Sequence, residues 1–169
     1  MSQLERKMFS RQVAQRTGAP WVKPSVWLSI CMLLVTSPMA ALAEMSEGPA
    51  LFAQHCAACH QASGAGAPGL APPLIGPHWG RLGSQPRYLA QVVLHGLSGP
   101  IMIEGQRFVG AMPGFAGSLS DAQLLSLLAH VTALQQRAAS PIDPSELARL
   151  RSAGGNPASS RALREQLLR

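Results

Sequence analysis

Cys56-Ala57-Ala58-Cys59-His60 places two thiols three positions apart, with an imidazole directly after the second. Each position has a chemical use. Two cysteines at this spacing can add as thioethers to the two vinyl groups of a haem, and the adjacent imidazole is then close enough to become the proximal iron ligand. Three other uses compete. A redox-active pair of the thioredoxin kind sits in a βαβ context, and no such strand pattern surrounds this one. A structural zinc site takes four ligands, and the chain has no second Cys-rich knuckle. A disulfide across two intervening residues is strained. The expectation is therefore one covalently attached haem c, with Cys56 and Cys59 as attachment points and His60 on the iron.

On the N-terminal side, residues 1–25 are polar and basic, and Val26 to Val35 is apolar except for Ser29. Pro38 breaks the run, and Ala41-Leu42-Ala43 gives a small-x-small cleavage pattern. Residues 1–43 read as a secretory signal peptide with a long basic region. The apolar run is short for a membrane span, and retention of an uncleaved anchor is the alternative. Cys31 leaves with the leader; Ile30 before it is not the small residue that lipid attachment wants. The expected location is the periplasm. Export agrees with the motif, because paired secreted thiols meet an oxidising compartment.

The chain has 169 residues, 16 Gly and 14 Pro, with 5% aromatics, which suggests a small core with long irregular loops. A formal charge of +6 overstates its basicity. Residues 1–43 hold five of the fourteen basic residues and one of the eight acidic ones, leaving +2 on the remainder. No basic, aromatic-interleaved patch supports nucleic-acid binding.

Downstream of the leader, residues 44–140 read as one haem-binding domain and 141–169 as a helical extension. Gly48-Pro49 opens a first helix whose stripe Leu51, Phe52, His55, Cys56 and Cys59 carries the thiols on its buried face. Residues 61–81 are loop, punctuated by Gly and Pro. Ser84 to Leu97 is predicted as a second helix, with Ser84 as its N-cap and Tyr88, Leu89, Val92 and Val93 on its apolar face. Residues 101–109 alternate about Glu104-Gly105 as a small hairpin, and 110–117 return to loop. Ser120-Asp121-Ala122-Gln123 is a capping box opening a helix to about Arg137. Beyond Pro141, Asp143-Pro144-Ser145-Glu146 starts a short helix, and 158–168 form an Arg-rich amphipathic piece, packed or frayed.

A second axial ligand separates an electron carrier from an open, ligand-binding iron. The candidates are Met45, Met102, Met112, His55, His78, His95 and His130. Met112 stands out, since it lies in Gly110-Ala111-Met112-Pro113-Gly114, rigidified by Pro113 and away from any helical face. His95 is its rival. Met102 reads as a strand residue, His78 as a loop histidine and His130 as a packing histidine.

These residues resemble the class I cytochromes c: Gly48-x-x-Leu51-Phe52-x-x-x-Cys56-x-x-Cys59-His60, then Pro72-x-Leu74-x-Gly76, then Met112-Pro113-x-Phe115 and the capped helix 120–137. The resemblance covers residues 46–137. It implies an all-α fold of three main helices around one haem, with the Pro72 carbonyl on the Nδ1 of His60 and Leu74 packed on the haem. A carbonyl so placed fixes the ring and tunes its basicity. Val93 to Ile101 with Met112-Pro113 is similar to cytochromes that accompany periplasmic dehydrogenases and oxidases. One departure is His130, where the family carries an aromatic packed on the first helix.

The function this implies is single-haem electron transfer, with His60 and Met112 holding the iron in both oxidation states and no substrate bond made. The expected partners are redox proteins: a periplasmic dehydrogenase, an oxidase or a membrane cytochrome complex. From another class, the alternatives are a haem subunit of a dehydrogenase complex, or a peroxidase-like or ligand-sensing protein with an open iron. A peroxidase needs a distal acid–base residue, which His78 or His95 would supply only if Met112 does not ligate.

Overall fold

The computed structural model describes residues 47–136 and 142–169, which belong to one compact unit. The expected signal peptide lies outside the described residues. Chain order is α1 (Gly48–His55), α2 (Ala57–His60), α3 (Trp79–Leu82), α4 (Pro86–His95), β1 (Leu97–Ile103), β2 (Gln106–Met112), α5 (Asp121–Leu134), α6 (Pro144–Ala153) and α7 (Pro157–Leu168). Among the described residues no helix is long and apolar enough to cross a membrane.

The first helix is crossed closely by α5. A Cβ on Gly48 would stand 2.5 Å from the Ser126 carbonyl oxygen and 3.0 Å from the His130 Cβ, so the backbones meet where a side chain cannot fit. Beside this crossing the Phe52 and His130 rings lie edge to face at 5.2 Å. His130 thus fills the position of the expected aromatic and makes its contact. The capping box of α5 forms in both directions, Gln123 N donating to Ser120 Oγ and Ser120 N to Gln123 Oε1. Its inward residues Leu124, Leu127, Leu128 and Val131 join Leu51, Phe52, Val93 and Leu94 in the main core.

Two boundaries and one buried face differ from the sequence reading. The first helix is interrupted at Cys56, whose φ of −122° leaves the helical region, although His60 N still donates to Cys56 O at 2.9 Å. Cys56 is half-buried and Cys59 exposed, so the two thiols do not share a buried face. The second long helix starts at Pro86, not at a Ser84 cap. Gln85, held extended by the proline after it, is the N-cap, while Ser84 Oγ donates instead to Arg81 O and closes α3. Proline suits the first helical turn because its missing N–H would be unpaired there anyway.

The all-α expectation is also corrected, since β1 and β2 form an antiparallel hairpin in which Leu97 pairs with Met112 and Ile103 with Gln106. Glu104 (φ 50°) and Gly105 (φ 81°) make the tight turn, positive φ at both central residues being the geometry that matches the twist of paired strands. The hairpin outgrows its predicted span at both ends. Gly99, Pro100 and Gly110 obscure the alternation, and Pro100 is tolerated because a two-stranded sheet is all edge.

The C-terminal helices are packed rather than frayed. Leu147 and Leu150 of α6, with Ile142, complete the main core. Arg151 ties α6 to the start of α5, its Nε donating to Asp121 Oδ1 at 2.7 Å and its Nη2 to Leu119 O at 2.9 Å. Leu163 and Leu167 of α7 pack on a second cluster of Trp79, Leu82, Tyr88 and Val92. An extension that shares the core carries its stability. Leu147 is fully buried, so Leu147→Ala is expected to destabilise the whole domain by about 2–5 kcal/mol. The measurement is denaturant unfolding followed at a probe in α1 or α5. An unchanged midpoint would mean that the extension folds apart from the rest.

Candidate haem-binding pocket

The loop after His60 is folded back on it by backbone hydrogen bonds. Gly66 N donates to His60 O at 2.9 Å, Leu74 N to Gly64 O at 2.7 Å, and Ala67 and Ala71 form an isolated bridge. Gly66 sits at φ +73°, and a Cβ there would stand 2.7 Å from Pro72 C and Pro73 N. The backbone of residues 64–66 is therefore pressed against residues 71–73, and this closeness fixes where the Pro72 carbonyl points.

That carbonyl takes a hydrogen bond from His60 Nδ1 at 2.9 Å. A carbonyl can only accept, so Nδ1 carries the proton and the neutral ring keeps its lone pair at Nε2. The imidazole is 7% exposed, and burial holds its ionisation below the ordinary imidazole range despite the opposing pull of the Pro72 carbonyl. A buried, neutral imidazole with a fixed tautomer is in the form that ligates a metal.

Met112 is positioned from the other side of the chain. At the open end of the hairpin it pairs with Leu97, directly after α4. Gly96 terminates α4 at φ +80°, and a Cβ there would collide with the Met112 carbonyl oxygen. Three and four residues further, Phe115 N and Ala116 N donate to the Val93 and Leu94 carbonyls at 2.9 and 3.1 Å. The segment bearing Met112 thus satisfies carbonyls near the end of α4, and its own position is set by helix, strand and loop together.

Cys56, His60, Pro72, Leu74 and Met112 all line one apolar pocket of about 640 Å³. Its remaining wall comes from the inward faces of α4 and α5, the start of β1, the His78–Trp79 corner, and Arg164 of α7. Cys59 is exposed on α2, and both cysteines are free. Of the described histidines, His60 and His78 line the pocket. His78 Nε2 donates to Pro73 O at 3.0 Å, and burial lowers its ionisation. His95 Nε2 donates to the Leu150 carbonyl at 3.2 Å, and the His55 ring meets Phe115 edge-on. Met102 is 57% exposed on β1. Among the described residues no three His, Cys, Asp or Glu side chains cluster to hold a metal ion.

The pocket's chemistry fits a haem. The free thiol of Cys56, a neutral imidazole and a thioether line one apolar space, and the second free thiol, Cys59, follows three residues after the first. The contribution of α7 was not visible from the sequence. Arg164 stands in a segment whose pattern reads as a solvated amphipathic helix, and no local signal marks it as a pocket residue.

The fold and these residues define a haem protein of the c type, and comparison with known proteins agrees. A family model described as "Cytochrome C oxidase, cbb3-type, subunit III" matches residues 43–131. The chain belongs to the class I c-type cytochromes, and as such is a haem-based electron-transfer protein with covalently bound haem c. Among individual proteins it is similar to a cytochrome c-552 from one strain of Thermus thermophilus, 34% identical over 135 residues, spanning 75% of this chain and 88% of that one. A second Thermus thermophilus cytochrome c-552 is 33% identical over 130 residues, covering 72% and 97%. A dihydro-heme d1 dehydrogenase of Pseudomonas aeruginosa is 38% identical over 95 residues, 55% of this chain but 16% of that protein.

Proposed function

We propose that the protein is a periplasmic, single-haem electron carrier with His60 and Met112 as axial ligands, passing electrons from a dehydrogenase-type donor to a respiratory acceptor. One observation carries this reading: a buried imidazole with its proton committed to Pro72 and a Met held by helix, strand and loop line the same apolar pocket as Cys56. When bound, the haem supplies one-electron chemistry between Fe(III) and Fe(II). The chain does the rest. Cys56 and Cys59 anchor the group, and His60 offers Nε2 because Pro72 holds Nδ1. Met112 would hold the iron through its thioether, which would keep exogenous ligands off and raise the potential. Leu74 and the apolar faces of α4 and α5 exclude water. Residues 1–43 serve as the export leader, 44–140 as the haem domain and 141–169 as an extension of its core.

The visible spectrum of the purified protein tests this, recorded oxidised and reduced, with and without carbon monoxide. A low-spin c-type spectrum with the far-red Met–iron band and no carbon monoxide shift is expected. A high-spin or carbon monoxide-sensitive spectrum would remove Met112 from the iron and leave an open-site enzyme or sensor. Against a peroxidase, His78 and His95 have their Nε2 protons committed to backbone carbonyls, which makes each a poor distal acid–base group. A second reading, a haem subunit of a larger redox complex, draws support from the family description, which names an oxidase subunit. It differs in partner rather than chemistry, and co-purification with a dehydrogenase or oxidase separates the two.

A further inference from the structure

Among the described residues, a buried guanidinium lines the pocket without an acidic partner. Arg164 is 5% exposed and makes two long hydrogen bonds, Nη1 to the Tyr88 hydroxyl and Nη2 to the Met102 carbonyl, both at 3.4 Å. Among the described residues no carboxylate lies within ion-pair distance of it, although Arg161, one turn earlier, pairs with Glu165 at 3.7 Å. Burying an unpaired charge is costly, and native proteins offset that cost with a counter-charge. Among the described residues none is provided, and the guanidinium borders the pocket in which a cofactor bearing two carboxylates is proposed to sit.

We propose that Arg164 is the carboxylate-binding residue of the haem pocket, its guanidinium donating to a haem propionate with the Tyr88 hydroxyl as a neighbouring donor. The assignment rests on the proposed placement of the haem in this pocket. It makes the C-terminal extension a cofactor-binding element and not only a packing one.

The surroundings hold Arg164 ready for this role. Ser160, four residues earlier and fully buried, donates its hydroxyl to the Gln91 carbonyl of α4 at 3.4 Å. Leu163 and Leu167 pack on the Trp79, Tyr88 and Val92 cluster. The Arg164 side chain therefore emerges from a helix fixed by neighbours on both sides. Burial pushes the Tyr88 phenol's ionisation up, with Arg164 opposing, so the hydroxyl keeps a proton to donate. A planar fork of N–H groups matches a carboxylate better than a point charge does. A positive charge in a dry pocket also favours the state that has gained an electron, so Arg164 raises the reduction potential.

The test compares the haem-loaded wild type with Arg164→Gln and Arg164→Lys, reading the midpoint potential and the propionate bending bands in resonance Raman. For Arg164→Gln, a lower potential and displaced propionate bands are expected, with the axial-ligand spectrum unchanged. Arg164→Lys is expected to recover much of the potential but not the band position, because the charge returns without the fork. The wild-type bands are expected to shift between H2O and D2O, a measurement that needs no variant to fold. Wild-type bands and potential in either variant, or no solvent-isotope shift, would overturn the assignment. A wild type without the low-spin Met-ligated spectrum would overturn the ligation itself, so the two failures are told apart.

Discussion

Replacing Met112 with alanine is expected to let the reduced protein bind carbon monoxide, abolish the far-red Met–iron band and lower the midpoint potential by roughly a few tenths of a volt, since axial ligand identity moves haem potentials over about 0.8 V. The covalent attachment is expected to survive, because Cys56 at the junction of α1 and α2 and Cys59 on α2 owe nothing to the hairpin. The fold should survive too. Met112 is only half-buried, and the backbone hydrogen bonds of Phe115 and Ala116 that pin its segment to α4 do not involve its side chain. A Met112→Ala protein that keeps six-coordination would show that another side chain reaches the iron. His78 is the described alternative lining the pocket, at the cost of its bond to Pro73.

Gly96→Ala is expected to give a related spectrum by a different route. The position has φ +80°, where an L side chain costs about 1–2 kcal/mol, and the added methyl would run into the carbonyl of Met112 itself. Relief requires the end of α4 and the start of the Met-bearing segment to separate. Met112 is thereby displaced while its side chain is intact. The expected result is a mixture of Met-ligated and carbon monoxide-binding protein, with thermal stability reduced by about 2–4 kcal/mol from strain and clash together. Titrating the far-red band against temperature checks it. A wild-type band up to the unfolding transition would mean that the junction absorbs the methyl without moving the ligand.

The parts of this site that were legible in the sequence are those whose chemistry is local. The cysteine spacing and the adjacent His60 are written in five residues, and the capping box of α5 in four. Met112 was singled out by exclusion, because a Met before Pro113 in a Gly-bounded segment fits no helical face, and it lies on the pocket lining. The Pro72–His60 bond came through family resemblance; the structure adds why it forms, in the contact of Gly66 with the backbone at Pro72. The hairpin was half legible. Its Glu104-Gly105 turn stood out, but Gly99, Pro100 and Gly110 interrupt the pattern that carries it to Leu97 and Met112. Least legible was Arg164. Its burial depends on Tyr88, 76 positions away, and an arginine on an amphipathic helix gives no local sign of facing inward.

The placement of α7 bears on the order of events during synthesis. Cys56, Cys59 and His60 emerge from the ribosome roughly a hundred residues before Arg164. Chains begin to organise from the N-terminus as they appear, so the thiols and the imidazole are present while the wall that α7 forms is not. Among the described helices α7 comes last along the chain, so the pocket stays open on that side until α7 docks.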